Sequence, residues 1–282
     1  CDIATPGRPG WHIECSAMIA AQLGETIDIH GGGLDLIFPH HENEIAQSES
    51  ANHAPLARVW MHNGMLTMDK EKMSKSIGNI VTVRELLDVG WQGETIRWAL
   101  LSGHYRAPLD WSDDLLKQAQ ASLDRLYGVL FDLRQRVKDV LPNADAAAVK
   151  GVLEGNIGVA TALADDLHTP LAIGNLFIAA GQLRKWISEK PEHMPLQNIA
   201  DGVEYIRSAG ALLGVLQDDP ERWFRASFGE HAALAIDTLI AERVAARAAK
   251  NWAEADRIRD ALAEKGVEVM DGAGGSTWRR KG

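Results

Sequence analysis

Lys72-Met73-Ser74-Lys75-Ser76 sets two lysines around a small polar centre, shortly after Gly64-Met65-Leu66-Thr67-Met68-Asp69. Fixed cations on such a loop suit a triphosphate: they offset the charge that develops on pyrophosphate while a carboxylate attacks the α-phosphate. A Lys/Ser-rich pentapeptide by itself reads equally as a solvated loop. Three stretches upstream narrow the choice: Gly7-Arg8-Pro9-Gly10-Trp11-His12-Ile13-Glu14-Cys15-Ser16, then His30-Gly31-Gly32-Gly33-Leu34-Asp35, then Phe38-Pro39-His40-His41-Glu42-Asn43-Glu44.

The pentapeptide resembles, letter for letter, the KMSKS signature of class I aminoacyl-tRNA synthetases. With the three upstream stretches in this order, the chain resembles the cysteinyl-tRNA synthetase family. Near the C-terminus Glu242-Arg243, Ala245-Ala246-Arg247 and Lys250-Asn251-Trp252-Ala253-Glu254-Ala255-Asp256-Arg257-Ile258-Arg259-Asp260 resemble the tail of the same enzymes, so the likeness runs almost end to end. It implies an α/β region followed by mostly α structure. Residues 1–112 are expected to be the second half of a Rossmann-like catalytic domain with the KMSKS loop. Residues 113–220 are expected to be a DALR-like helical bundle that contacts tRNA, and residues 221–282 a small anticodon-binding domain. The implied activity is ATP-dependent conversion of L-cysteine to cysteinyl-adenylate, with Mg2+, and transfer to the 3′ end of tRNA(Cys).

Composition fits that reading. Of 282 residues, 46% are hydrophobic and 24% charged, as in an ordinary soluble domain protein. No apolar run reaches the ~18 residues that span a bilayer, and no signal-peptide pattern is read, so a cytoplasmic monomer is expected. Cys1 and Cys15 cannot build a disulfide framework, which agrees with a reducing compartment. The net charge of −10 argues against indiscriminate nucleic-acid binding, but not against a local basic face made from Arg243, Arg247, Lys250, Arg257, Arg259, Arg279, Arg280 and Lys281. His12, His30, His40, His41, His53 and His62 crowd the first 62 residues, which places the chemistry there.

Patterning gives the coarse elements. Thr26–His30 reads as a strand ending in a glycine turn, and Val59–His62 as a second strand. Pro39 suits the first turn of a helix through His40, Glu44 and Ile45. Thr82 and Glu85 form a capping-box pair for a helix running to Leu87. After Ser112-Asp113-Asp114, Leu115, Leu116, Ala119, Leu123, Leu126 and Leu130 recur at helical spacing. Ala160, Leu163, Ala164 and Leu167 continue the style, followed by Leu171, Leu176, Ala179 and Leu183, and by Ile206, Leu212, Leu213 and Leu216. These stripes read as core. Gln217-Asp218-Asp219-Pro220 marks a boundary. Residues 232–265 read as helical, and Val267–Asp271 and Thr277–Arg280 as two strands joined by a glycine-rich loop.

His40 and Glu44, four apart on one helix face, can present a ring nitrogen and a carboxylate oxygen to one ion, and a thiolate from Cys15 would suit a tetrahedral zinc. Spacing alone also fits a plain polar face. The resemblance implies zinc at these three positions, with a fourth ligand in an N-terminal half that this sequence does not show. Cys1 reads as a free thiol, and His41 is the local rival, pointing about 100° away around the helix. The resemblance also implies Trp11 as an apolar wall for the amino acid. It gives His30, Gly33 and Asp35 to the adenosine and Lys75 to the phosphates, with Lys72 and Ser74 supporting the loop. The family's HIGH motif does not occur in this chain.

Arg243, Arg247 and Lys250 form one basic stripe on the long C-terminal helix, and Trp252 and Trp278 can stack on unpaired bases. The plain alternative puts both tryptophans in a core and pairs the arginines with Glu254 or Asp256. The resemblance implies the RNA role. Two rivals remain: a paralogous cysteine ligase of mycothiol synthesis, which should lack the tail from Glu242 to Arg280, and a non-catalytic tRNA-binding remnant.

Overall fold

The structure is a computed structural model that describes residues 8–68, 71–73, 78, 80–136, 158–189, 196–226, 228–272 and 275–280. They group into two compact units. One runs to residue 77 and takes in Tyr105–Trp111; the other joins 78–104 to everything after Ser112. Residues 78–104 thus pack with the helices, whereas motif content puts them in the 1–112 segment.

In the first unit, α1 (Trp11–Gln22) leads into β1 (Ile27–Gly33), and two tight turns (Leu34–Leu36 and Ile37–His41) lead into α2 (Glu42–Asn52) and β2 (Ala57–Asn63). β1 and β2 pair in parallel, as a crossover through a helix requires, with His30 opposite Trp60 and Gly32 opposite His62. The three glycines therefore lie inside the strand rather than in a turn after it. The helix containing Glu44 starts later than expected, because Phe38 is extended (φ −131°, ψ 133°) and His40 sits in the turn before α2. β3 (Leu66–Met68) is central in a small sheet, antiparallel to β4 (Glu71–Lys72) and parallel to β5 (Leu109–Trp111). Gly64 is obligatory at its foot: a Cβ there would run into the Ala107 carbonyl.

The second unit opens with α3 (Val83–Asp88). Thr82 Oγ1 accepts from the Glu85 N–H at 3.2 Å and Glu85 Oε2 accepts from the Thr82 N–H at 2.8 Å, the expected capping box. Next come α4 (Gly93–Leu101) and α5 (Asp113–Arg136), the latter begun by Ser112 Oγ accepting from the Leu115 N–H at 3.2 Å. Leu116, Ala119, Leu123, Leu126 and Leu130 all face inward, as their spacing predicts. α6 (Val159–Ala164), α7 (Thr169–Glu189) and α8 (Leu196–Leu213) complete the bundle. Leu167 and Leu171 depart from the core stripe and are exposed; Leu167 lies after α6 with φ +52°, outside any helical periodicity.

α9 (Pro220–Ala226) drives Trp223 and Phe224 into the bundle, where Trp223 stacks on Tyr127 with ring centres 4.4 Å apart. The Trp223 indole N–H donates to Asp124 at 2.8 Å. α10 (Glu230–Ala248) and α11 (Trp252–Glu264) form a hairpin, followed by the antiparallel pair β6 (Val267–Gly272) and β7 (Gly275–Arg280). The single long helix expected over 232–265 is thus two. Lys250 takes a left-handed φ of +59°, and Asn251 caps α11 by accepting from the Glu254 N–H at 3.3 Å. This module closes over Ile236, Ile240, Ile258, Leu262, Val267 and Trp278. Arg279 Nη1 donates to Asp132 on α5 at 2.8 Å, fastening β7 to the bundle. Among the described residues no helix is long and apolar enough to cross a membrane.

Candidate functional site

Glu44 is the hub of the first unit, 1% exposed on α2. Its Oε1 lies 3.2 Å from His40 Nε2 and its Oε2 lies 2.9 Å from His30 Nε2. Cys15, one turn into α1, completes a first triad: ligand atoms of Cys15, His40 and Glu44 all fall within 4.8 Å of one another. α1 and α2 are held together beside it by Ser16 Oγ, which donates to Gln47 Oε1 at 2.9 Å. A second triad, His30, His41 and Glu44, shares the same carboxylate within the same 4.8 Å limit.

The donors suit a divalent cation of zinc type, with a thiol, an imidazole and a carboxylate converging. Burial, reinforced by the Glu44 charge, pushes the Cys15 thiol up, so without a cation it is neutral. Glu44 Oε2 is buried and completes no hydrogen bond among the described residues, which leaves a costly lone carboxylate oxygen. A thiol, an imidazole and a carboxylate converging within 4.8 Å are the donor types and spacing a zinc ion takes, so the residues fit the group.

Imidazoles surround the hub. His12 and His40 meet through their Nδ1 atoms at 2.6 Å, and His41 Nδ1 meets His62 Nε2 at 2.8 Å. Burial, aided by the neighbouring His30, holds the His41 pKa down and keeps it neutral. The ring of Trp11, 56% exposed, stacks on His40 at 4.1 Å and covers one side of the triad. His41 does more than point away: Gly32 leaves room for its ring, since a Cβ there would come within 2.8 Å of His41 Cε1. The involvement of His12, His41 and His62 is not read from the motif spacing. Its signal is the β1–β2 register, which sets His30 and Gly32 against Trp60 and His62.

Of the nucleotide residues, Gly33 ends β1 and Asp35 follows it in the first turn, with Asp35 Oδ1 over the Gly33 Cα. His30 is elsewhere in character: its ring stacks on Trp60 at 4.5 Å, beside Glu44 rather than Asp35. Lys72 lies on β4, paired with Thr67. Ser74 and Lys75, and also Cys1 and Lys281, fall outside the described residues.

The RNA-facing expectation needs correction in part. Arg243 is buried, its guanidinium forking onto both oxygens of Asp271 at 2.8 and 3.0 Å, and Arg247 joins the same carboxylate. Trp278, 6% exposed, is core and donates to Asp237 at 2.8 Å, so it offers no open face to a base. Arg257 pairs with Glu254, Arg259 with Asp256 and Asp260, and Arg279 with Glu268 and Asp132. The stripe is a set of intramolecular ion pairs. Lys250 and Trp252 remain, side by side at the α10–α11 turn, with Trp252 59% exposed.

Comparison with known proteins places these features. Residues 4–121 match the family described as tRNA synthetases class I (C) catalytic domain, and residues 232–279 match the cysteinyl-tRNA ligase anticodon binding domain. The chain is 53% identical over 274 residues to the cysteine--tRNA ligase of Hyphomonas neptunium, covering 97% of this chain and 55% of that one. It is 51% identical over 276 residues to that of Caulobacter vibrioides, covering 98% and 56%. The chain spans about half the length of the curated relatives it matches. A solved structure, the LeuRS–tRNA–LeuAMS ternary complex of Agrobacterium radiobacter K84, shares the fold with a TM-score of 0.51 at 18% identity, over 71% of this chain and 27% of that one. Over the residues it presents, this chain belongs to the cysteinyl-tRNA ligase family of class I aminoacyl-tRNA synthetases.

Proposed function

We propose that this chain carries the zinc centre, the KMSKS loop, the helical bundle and the anticodon-binding module of a cysteine--tRNA ligase, which activates L-cysteine with ATP and Mg2+ and transfers it to tRNA(Cys). The supporting observation is the convergence of Cys15 on α1 with the His40 and Glu44 pair of a later segment, within 4.8 Å. These three residues would hold a zinc ion, which would supply a Lewis acid that favours a thiol over an alcohol at neutral pH. Packing alone rejects near-isosteres weakly, so selection by a metal ligand suits a site that must refuse serine.

Around that centre the chain's own residues would orient the substrate. Trp11 supplies an apolar wall over His40; Gly33 and Asp35 receive the adenosine; Lys72, Ser74 and Lys75 hold the phosphates and stabilise charge on the leaving pyrophosphate. The division by function is 1–112, 113–220 and 221–282. The RNA contact is assigned to Lys250 and Trp252, the exposed pair at the α10–α11 turn, with a base stacked on Trp252. The protein works as a cytoplasmic monomer, with the fourth metal ligand supplied from outside these residues.

The match of residues 232–279 to the anticodon-binding family favours this reading over the amino-sugar ligase. The test is charging of total tRNA with labelled cysteine by the complete gene product. Incorporation that needs zinc and disappears in Lys75→Ala supports the synthetase. Cysteine-dependent pyrophosphate exchange without charging assigns the amino-sugar ligase, and loss of both leaves a tRNA-binding remnant.

A further inference from the structure

We propose that His30 is a positioning residue for the metal ligand Glu44 rather than a contact for adenosine; this rests on the reading of Cys15, His40 and Glu44 as the metal centre. The Glu44 carboxylate is divided between two imidazoles. Oε1 faces His40, on the side of Cys15, and Oε2 faces His30 at 2.9 Å. His30 Nε2 and Glu44 Oε2 are both buried, and neither completes a hydrogen bond among the described residues. The atoms are at hydrogen-bond distance but misaligned, so a small rotation of the carboxylate satisfies both.

The His30 ring is fixed independently of Glu44. It stacks on Trp60 with ring centres 4.5 Å apart and an interplanar angle of 15°, and it tilts against His41 at 4.7 Å. The pairing of His30 with Trp60 across β1 and β2 sets that position in the sheet itself. An N–H donated from His30 Nε2 to Oε2 would hold the carboxylate in one orientation and leave Oε1 for the cation. Outer partners of this kind typically hold metal affinity by about 10–100-fold. A ring so covered has no free face for a purine.

The experiment is a zinc and cobalt titration of the complete gene product against a chromophoric chelator, with the cobalt absorption spectrum as a second readout. His30→Ala should weaken binding by about 10–100-fold and alter the cobalt spectrum. His30→Gln, which restores an N–H donor, should recover much of the loss, and Asp28→Ala, in an exposed pair with Arg58, should leave binding unchanged. Should His30→Ala fail to fold, His30→Leu keeps the volume without the donor and reads the same quantity. Unchanged affinity in the folded Ala or Leu variant overturns the inference while leaving the metal centre intact. So does uptake of two ions per chain with one lost in that variant, which would make His30, His41 and Glu44 a second cation site. No uptake by the unaltered gene product overturns the metal centre, and the role of His30 with it.

Discussion

Around Glu44 the first unit is lined with imidazole, carboxylate and hydroxyl groups, and Leu56 and Trp111 are its buried apolar side chains among the described residues. The second unit closes over Trp223, Tyr127, Phe131, Phe224 and the leucine ladder of α5. Both units also carry exposed apolar side chains, Trp11, Met18 and Phe38 in the first and Val89, Ile178 and Leu234 in the second. Hydrophobic burial can therefore carry the second unit without help. The first encloses polar groups that cost free energy until something pairs with them. Among the described residues, one unit closes a large apolar core and the other buries a cluster of polar groups.

The largest expected effect breaks the dry side of this contrast. Trp223→Ala removes a buried indole, its stack on Tyr127 and its bond to Asp124, and should destabilise the second unit by about 3–5 kcal/mol. Urea unfolding followed by far-ultraviolet dichroism measures it, while metal uptake by the first unit should persist. If both fail together, the units are not energetically separate.

Glu44→Gln tests the polar side. Loss of the shared carboxylate should weaken zinc binding by more than about 100-fold, beyond the usual effect of an outer partner, as read by the chelator titration. The unfolding midpoint of the helical unit should not move. A metal-free variant that is as stable as the parent, or more so, would show that the buried charge is kept for its ligand and not for the fold.

Asp271→Asn has a smaller effect and a pH signature. Hydrogen bonding from Arg243 holds the Asp271 carboxyl well below the usual carboxylate range. A carboxyl with a depressed folded pKa adds stability above its unfolded value, about 4, and loses it as pH falls from there through the folded value. Asp271 is partly solvated, so the contribution at neutral pH is about 1 kcal/mol after screening. Unfolding at pH 7 and pH 3 should show the full gap between parent and variant at the first and a narrowed one at the second, with convergence only at still lower pH. A gap of equal size at both would remove the ion pair as the cause.

The smallest effect is Thr82→Ala, which removes the cap of α3 and should cost about 1 kcal/mol by urea unfolding. It is also the feature most legible in the sequence, because Thr82 and Glu85 lie three residues apart and answer each other without outside help. The α5 stripe is legible for the same reason, its period repeating within one element. The break between α10 and α11 is harder. Alanine-rich sequence favours a continuous helix on both sides, and the countersignal, Asn251 with Glu254 three residues on, is one weak cap against long propensity. The fate of the arginines lies beyond local reading: Arg243 finds Asp271 28 residues away, and that partner turns a basic stripe into a closed ion pair. At the candidate metal site the residues Cys15, His40 and Glu44 are readable from motifs. The ring of histidines around them depends on strand register, which no motif states.

The bond between Arg279 and Asp132 spans 147 positions, whereas Gly272 of β6 pairs with Gly275 of β7, close by in sequence. Such separations set two clocks for folding. A hairpin closes in roughly 1–10 microseconds, while a contact between distant segments waits until the intervening chain has been ordered. The Trp278 indole, buried in the local module, and the Trp223 indole, buried in the bundle, report on the two events separately. In a refolding trace, the C-terminal module should gain its own tryptophan signal first and be fastened to α5 afterwards.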